Sequence, residues 1–298
     1  MIKRAHIRQF LAVVDTGSFT RAAQQIRVTQ PALSTGIADL ERLVGSPLFL
    51  RNRRQIRLTE AGGRFLPIAR DLERGFRAAD SFGRVREGGR PALRLGTVRS
   101  VPGAFFQSVA ARLARDFALE IGEDGDAALR AGVQGGRLNM AIVPLRAGES
   151  GPHAVPLYEE PLAMFVAAGH ALAGQGEVGP EELAAETMIA RRSCEFLDAT
   201  SRFFTRHRVR PRFALRSDSD DRCLRMVAAG VGITTAPVSL AIDGIVPLKV
   251  AGYDFRRELG LLIDPAWSGL DGIRTRLDAV VPALQDMAAE WRERKVRV

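Results

Sequence analysis

The sequence predicts an N-terminal all-α winged helix-turn-helix, a long linker helix and a C-terminal α/β domain. Three observations carry this. Apolar residues recur at helical spacing in three successive segments before residue 45, and two short strand-like runs follow. A further helical stripe begins at residue 59. Beyond residue 92, short apolar runs alternate with helical segments, the pattern of parallel βαβ units.

Ile7, Phe10, Leu11 and Val14 stand at i, i+3, i+4 and i+7, one apolar face of a first helix. Gly17 stops it and Ser18 is a suitable N-cap for the next. Phe19, Ala22, Ala23 and Ile26 form the inner face of that second helix, and the small alanines allow close approach. Val28 and Thr29 make a turn. Pro31 fits the first turn of a third helix, where its missing N–H leaves no bond unmade. Leu33, Ile37, Leu40 and Val44 are the buried face of helix three, and Gln30, Pro31, Ser34, Thr35 and Ala38 lie opposite. If this helix enters a major groove, the opposite face meets the base edges.

Residues 47–50 and 55–58 read as two short strands, joined by Asn52-Arg53-Arg54 and flanked by Arg51 and Arg57. A cationic hairpin tip beside a helix-turn-helix suits phosphate contact; the alternative is a solvated basic turn. The charge distribution favours the first reading. The chain has 43 Lys plus Arg, of which 40 are Arg, against 34 Asp plus Glu, net +9. Residues 1–94 hold 18 basic and 8 acidic residues, and residues 95–298 hold 25 and 26. Excess charge confined to one domain points to a polyanion such as double-stranded DNA.

Thr59 and Glu60 open the next helix. Phe65, Ala69, Leu72, Phe76 and Ala79 step by 4, 3, 4 and 3, a heptad seam. One reading is an amphipathic helix packed on its own domain; the other is dimerisation, which presents two recognition helices to two half-sites. Gly88-Gly89-Arg90-Pro91 reads as a hinge.

Composition bounds the rest. With 298 residues and 46% hydrophobic content the chain can bury two or more cores. No basic-then-apolar signal opens it, and the uncharged run 226–242 is too broken by Gly, Thr and Pro to span a bilayer, so a cytoplasmic protein with no membrane partner is expected. Cys194 and Cys223 make no disulfide framework. Arg191 and Arg192 could lower the pKa of Cys194; a buried, idle thiol is the other reading.

Taken together, the first third resembles the LysR-type transcriptional regulators. The matching residues are the F-L-A-V-V-D-T-G-S-F-T-R-A-A stretch, Thr29-Gln30-Pro31-Ala32-Leu33-Ser34, Leu40-Glu41, Gly45 through Phe49, and Leu58-Thr59-Glu60-Ala61-Gly62. The resemblance implies a DNA-binding domain over 1–58, a linker and dimerisation helix over 59–87, a hinge at 88–91 and an effector-binding domain over 92–298. On that reading Ser18, Thr20, Arg21, Thr29, Gln30, Pro31, Ser34, Thr35, Arg51, Arg53 and Arg54 form the DNA-binding set. Gln30, Ser34 and Thr35 would read bases, and Thr29, Arg51, Arg53 and Arg54 would hold phosphates.

In the second part, strands are expected at 92–98, 118–122, 138–144, 154–158, 162–167, 187–190, 213–216, 232–236, 245–250 and 259–263. Helices are expected at 101–117, 126–132, 195–207, 220–229 and 270–294. This is similar to the family's two-lobed effector domain, related in fold to periplasmic binding proteins. Lobe I would hold 92–160 and about 265–298, and lobe II about 161–264. Val227-Ala228-Ala229-Gly230-Val231-Gly232-Ile233 and Pro237 match its late signature. A ligand in such a domain sits between the lobes, where free backbone N–H groups favour anions. By resemblance its lining is Ser100, Val101, Asp126, Arg192, Ser193, Thr234 and Thr235. Arg192 could pair a carboxylate or be a surface arginine, and Asp126 could serve only as a helix N-cap.

The resemblance has departures. The family often carries Arg then Gln where this chain has Thr35 and Gly36, and usually Asp where it has Asn139, and the loop between Phe117 and Ala118 is short. The resulting expectation is a regulator without cofactor or metal that grips an interrupted inverted repeat in promoter DNA as a homodimer or homotetramer. A small-molecule effector between the lobes then alters DNA bend and contact with RNA polymerase. An effector-independent regulator and an enzyme fused to a DNA-binding module are the alternatives. For the enzyme the chain offers no G-x-S-x-G, Walker loop or H-E-x-x-H, and its four histidines lack ligand spacing.

Overall fold

The first three helices are set by their caps. The computed structural model describes residues 1–52, 55–81 and 89–295. Helix α1 (Arg4–Thr16) ends on Gly17 at φ 61°, the left-handed conformation that glycine adopts without strain. The Ser18 hydroxyl accepts from Arg21 N to start α2 (Phe19–Gln25), and the Thr29 hydroxyl accepts from Ala32 N to start α3 (Gln30–Val44). Ile7, Phe10, Leu33, Ile37 and Leu40 are fully buried between them.

Strands β1 (Phe49–Asn52) and β2 (Gln55–Leu58) pair antiparallel, with Phe49 opposite Leu58 and Asn52 opposite Gln55. The first strand thus runs later than the expected 47–50, because the Glu41 carboxylate accepts the N–H groups of Leu48 and Phe49 and holds residues 47–48 against α3. Thr59 ties the hairpin to helix α4 (Glu60–Ser81): its hydroxyl donates to Pro47 O at 2.7 Å and accepts from Gly62 N at 2.9 Å. A Cβ on Gly62 would lie 2.1 Å from Leu48 O, so only glycine fits where helix and hairpin cross.

The seam expected along α4 divides. Phe65 and Ala69 are buried in the winged domain's own core, with Phe65 edge-on to Phe10 at 5.2 Å. The exposed apolar stripe is Ile68, Leu72 and Phe76, and Ala79 is also exposed. The two faces are adjacent on a helix, which is why one heptad count runs across both. Farther along, Arg70 and Arg74 donate to the side chain and backbone carbonyl of Gln134, and Arg74 lies 3.8 Å from Asp264. The expected hinge at 88–91 begins outside the described residues.

The C-terminal domain contains β3 (Ala92–Thr97), α5 (Gly103–Asp116), β4 (Ala118–Glu123), α6 (Asp126–Gln134), β5 (Met140–Pro144), β6 (Ala154–Ala167), β7 (Glu177–Val178) and β8 (Thr187–Arg191). After these come α7 (Leu197–Arg206), β9 (Arg212–Ser217), α8 (Asp220–Ala228), β10 (Thr234–Pro237), β11 (Ile245–Val250), β12 (Arg256–Ile263), α9 (Pro265–Ser268) and α10 (Asp271–Lys295). Strand β3 is parallel to β4 and β5, and β8 is parallel to β9, as the alternation predicts. Strand β12 is antiparallel to both β5 and β6.

The expectation of two separate strands at 154–158 and 162–167 is corrected: β6 runs unbroken through both. Its first half pairs with β12 up to Pro161, and its second half pairs with β10 and β11 from Leu162. One strand therefore serves two sheets and carries the chain from one lobe to the other. Lobe I buries Leu93, Leu95, Phe105, Ile142 and Leu261, with α10 closing it through Trp291 against Phe105 at 5.6 Å. Lobe II buries Met164, Phe203, Phe204, Ile233 and Tyr253.

Candidate nucleic-acid interface and interlobe site

Helix α3 buries Leu33, Ile37 and Leu40 and turns the other face outward. Gln30, Pro31 and Thr35 are exposed and Ser34 is half-buried, with Gln30 Nε2 donating to Ser34 Oγ at 3.2 Å. A continuous polar face of this kind, one turn from the helix N-terminus, can meet base edges in a major groove. Beside it, a Cβ on Gly36 would lie 1.9 Å from Gln9 Oε1, the movable tip of a side chain from α1.

The remaining expected DNA residues take mixed places. Ser18 and Thr29 cap helices with their hydroxyls, and Thr20 is exposed. Arg21 turns back and donates to Thr16 O at 2.6 Å. Arg51 lies in β1; Arg53 and Arg54 lie outside the described residues.

The lobes meet at Ser100, which follows β3 and precedes α5. Ser100 is fully buried. Its hydroxyl donates to Glu195 Oε1, in the segment after β8 of lobe II, and accepts from Arg257 Nη1 at 2.6 Å. Arg257 Nη2 also donates to Ser100 O at 2.9 Å. The same guanidinium binds Glu160 Oε1 through Nε at 3.0 Å and Nη2 at 2.7 Å, both side chains being wholly buried. Glu160 Oε2 accepts from Ser239 N at 3.0 Å. This Arg–Glu pair stands on β12 and β6 beside the point where the chain crosses lobes, and Glu195 Oε1 lies 3.6 Å from Arg257 Nη1.

A second buried pair organises lobe II. Arg191 at the end of β8 holds Asp220 with bonds of 2.8 and 2.6 Å and donates to Thr235 O at 3.0 Å. Burial opposes its charge, but the hydrogen bonds and attraction of Asp220 outweigh this and raise its pKa. Ser193 Oγ donates to Asp218 O and Asp220, and Thr234 Oγ1 to Ile189 O at 2.7 Å. Val101 is buried; Arg192 is exposed. The Asp126 carboxylate accepts from Arg130 Nε at 2.7 Å, and Arg130 also binds Glu149, so Asp126 is engaged within lobe I and caps α6 through no side-chain bond.

Of the expected lining, then, Ser100 touches the opposite lobe, and Ser193 and Thr235 gather on the Arg191–Asp220 pair. Glu160, Glu195 and Arg257 were not anticipated. A charged residue within an apolar strand, as Glu160 and Arg257 both are, was the available signal, since such a group folds only if it finds a partner.

Both cysteines are buried. Burial pushes the Cys194 thiol up and outweighs the attraction of Arg191, and burial pushes Cys223 up as well. Both thiols are expected to react with Ellman's reagent at pH 8 at least ~10-fold more slowly in the native protein than in urea, since the thiolate is the nucleophile. Native labelling at the unfolded rate would contradict this placement. The side chain of Arg191 thus serves Asp220 rather than activating Cys194.

The geometry matches known proteins over most of the chain. The family model described as the LysR-family bacterial regulatory helix-turn-helix protein matches residues 5–63, and that of the LysR substrate binding domain matches residues 86–269. A probable hydrogen peroxide-inducible genes activator of Mycobacterium avium is 30% identical over 79% of this chain and 78% of its own length. The transcriptional regulator CatR of Pseudomonas putida is 28% identical over 79% of this chain and 82% of its own. Among solved structures, a full-length OxyR point variant from Pseudomonas aeruginosa superposes with a TM-score of 0.55 at 22% identity, covering 97% of this chain and 95% of that one. CbnR complexed with its target DNA superposes at 0.50 and 18% identity, over 95% of this chain and all of the other. With a matched family model on each of its two parts, the chain belongs to the LysR-type transcriptional regulators, built from a helix-turn-helix and an effector-binding domain.

Proposed function

We propose that this regulator binds an interrupted inverted repeat in promoter DNA as a homodimer or homotetramer, and that a small molecule held between the two C-terminal lobes modulates it. The observation that supports this best is the outward face of α3, where Gln30, Pro31 and Thr35 stand exposed in a domain whose charge is strongly positive. Gln30, Ser34 and Thr35 act as base readers, while the basic hairpin that includes Arg51, Arg53 and Arg54 takes phosphates. The exposed Ile68, Leu72 and Phe76 stripe joins two copies. In a dimer, effector binding shifts populations between lobe arrangements and so changes the spacing of the two recognition helices and the contact with RNA polymerase. No helix among the described residues is long and apolar enough to cross a membrane.

The name of the Mycobacterium avium relative raises hydrogen peroxide as a signal. In this chain both thiols are buried with their pKa pushed up, the opposite of what rapid thiolate oxidation needs. We therefore read the effector domain as a binder of a small molecule.

The test is footprinting of the purified protein on the intergenic DNA upstream of its own gene, with salt titration. The expected result is a protected interrupted repeat whose affinity falls steeply and log-linearly with salt. Weak, sequence-indifferent binding to that DNA and to genomic fragments would overturn the reading.

A further inference from the structure

The seam between the lobes has an unusual balance of donors and acceptors. Every nitrogen of the Arg257 guanidinium is engaged: Nε and Nη2 are given to Glu160, Nη2 also to Ser100 O, and Nη1 to Ser100 Oγ. The hydroxyl of Ser100 is likewise occupied, accepting from Arg257 and donating to Glu195 Oε1. One oxygen remains. Glu195 Oε2 is buried and no donor reaches it among the described residues. The charges tell the same story. Arg257 is matched by Glu160, and Glu195, whose side chain is only 12% exposed, adds a second carboxylate 3.6 Å from the same guanidinium. In lobe II, Arg191 is matched by Asp220 in the same way.

We infer that the interlobe site of this chain recognises an effector through a hydrogen-bond donor, an ammonium, amidinium or guanidinium group placed on Glu195 Oε2, and disfavours a free carboxylate. An effector carboxylate would meet the Glu195 carboxylate beside a guanidinium that gives four of its five N–H groups to Glu160 and Ser100, and whose Nη1 already lies 3.6 Å from Glu195 Oε1, and beside a hydroxyl whose proton is given to Glu195. A cationic donor satisfies the orphaned oxygen and neutralises the excess negative charge in a region shielded from water, where such bonds are stronger than at the surface. Glu195 belongs to lobe II and its other oxygen to a bond with lobe I, so a ligand on Oε2 also acts on the contact that holds the lobes together. The anion preference expected from free helix N-termini is thereby reversed, because the chain's own Glu195 already takes the position facing Ser100.

The inference rests on the interlobe effector site proposed above, and one experiment separates the two. Matched pairs of small probes, butylamine with butyrate and benzylamine with benzoate, are titrated calorimetrically into the full-length protein and into the Glu195→Gln and Ser100→Ala variants. The glutamine keeps the size of the side chain and can still accept from Ser100, so a folding defect is not expected; circular dichroism checks this. The expected result is that an amine binds the wild type at least ~10-fold more tightly than its carboxylate partner and loses at least ~10-fold in Glu195→Gln, the scale of a charge-assisted hydrogen bond. Carboxylates binding more tightly than amines, with affinity altered by Ser100→Ala, would overturn the donor preference and leave the interlobe site standing. Binding of either class that is unchanged in both variants would overturn the interlobe site itself. Failure of both amines to bind would overturn the donor preference.

Discussion

Replacing Arg257 with alanine is expected to destabilise the effector domain by about 3–5 kcal/mol, the range for breaking a buried ion pair by removing one partner. The reason lies with what remains. Glu160 is wholly buried, and its Oε1 depends on two bonds from Arg257 while Oε2 keeps a single backbone N–H from Ser239. Alanine leaves that carboxylate charged in a dry place, and it also removes the donors to Ser100 O and Ser100 Oγ. In a domain of this size the loss corresponds to a fall in Tm of about 6–20 °C. The double change Arg257→Met with Glu160→Leu removes both charges together and is expected to recover part of the loss, since an apolar pair often replaces a buried ion pair at little cost, while Ser100 O and Ser239 N still lose their partners. Urea unfolding of the full chain separates the outcomes: the effector-domain transition moves, and the winged domain, with its own core around Phe10 and Leu33, keeps its midpoint. A single variant costing under about 1 kcal/mol would mean that water reaches Glu160 and that the pair is not a structural element of the seam.

What could be seen in the sequence was local. Helices α1 to α3 follow from apolar spacing and from caps that lie within three residues of the groups they satisfy, as Ser18 with Arg21 and Thr29 with Ala32 show. The strands of lobe I follow from alternation with helices. Strand β6 did not, because Glu159, Glu160 and Pro161 read locally as a break. Glu160 is acceptable inside a strand only because Arg257, 97 residues later, arrives beside it. The same distance hid the site. Ser100 was expected at the interlobe face on family likeness, but its partners Glu195 and Arg257 are 95 and 157 residues away, and no spacing rule links them.

The partner of Asp126 has an equally local cause: Arg130 stands four residues on, the spacing at which side chains on a helix meet.

Introducing carboxylates into the exposed stripe of α4, as Leu72→Glu with Phe76→Glu, is expected to lower operator affinity by about 10²–10⁴-fold, the advantage that joining two binding modules confers. Leu72 and Phe76 are 41% and 40% exposed, and Ile68, a turn before Leu72 on the same face, is 54% exposed. Their removal takes little from the core of the winged domain, which α4 enters through Phe65 and Ala69. Phe76 lies beneath the Arg4 guanidinium at 5.3 Å, and Arg4 also pairs with Glu73, so a glutamate at 76 is held beside a positive charge and folding is spared. In a two-fold dimer, however, the same stripe of both copies meets, so the two substitutions bring four carboxylates into one interface. Sedimentation should then show a monomer with unchanged circular dichroism. Each monomer retains one recognition helix, so binding to a single half-site persists with a shallower salt dependence, because fewer phosphates are engaged per complex. A variant that still sediments as the wild type and still protects both half-sites would place the dimer contact on another surface, and Ile68, Leu72 and Phe76 would then need a different partner.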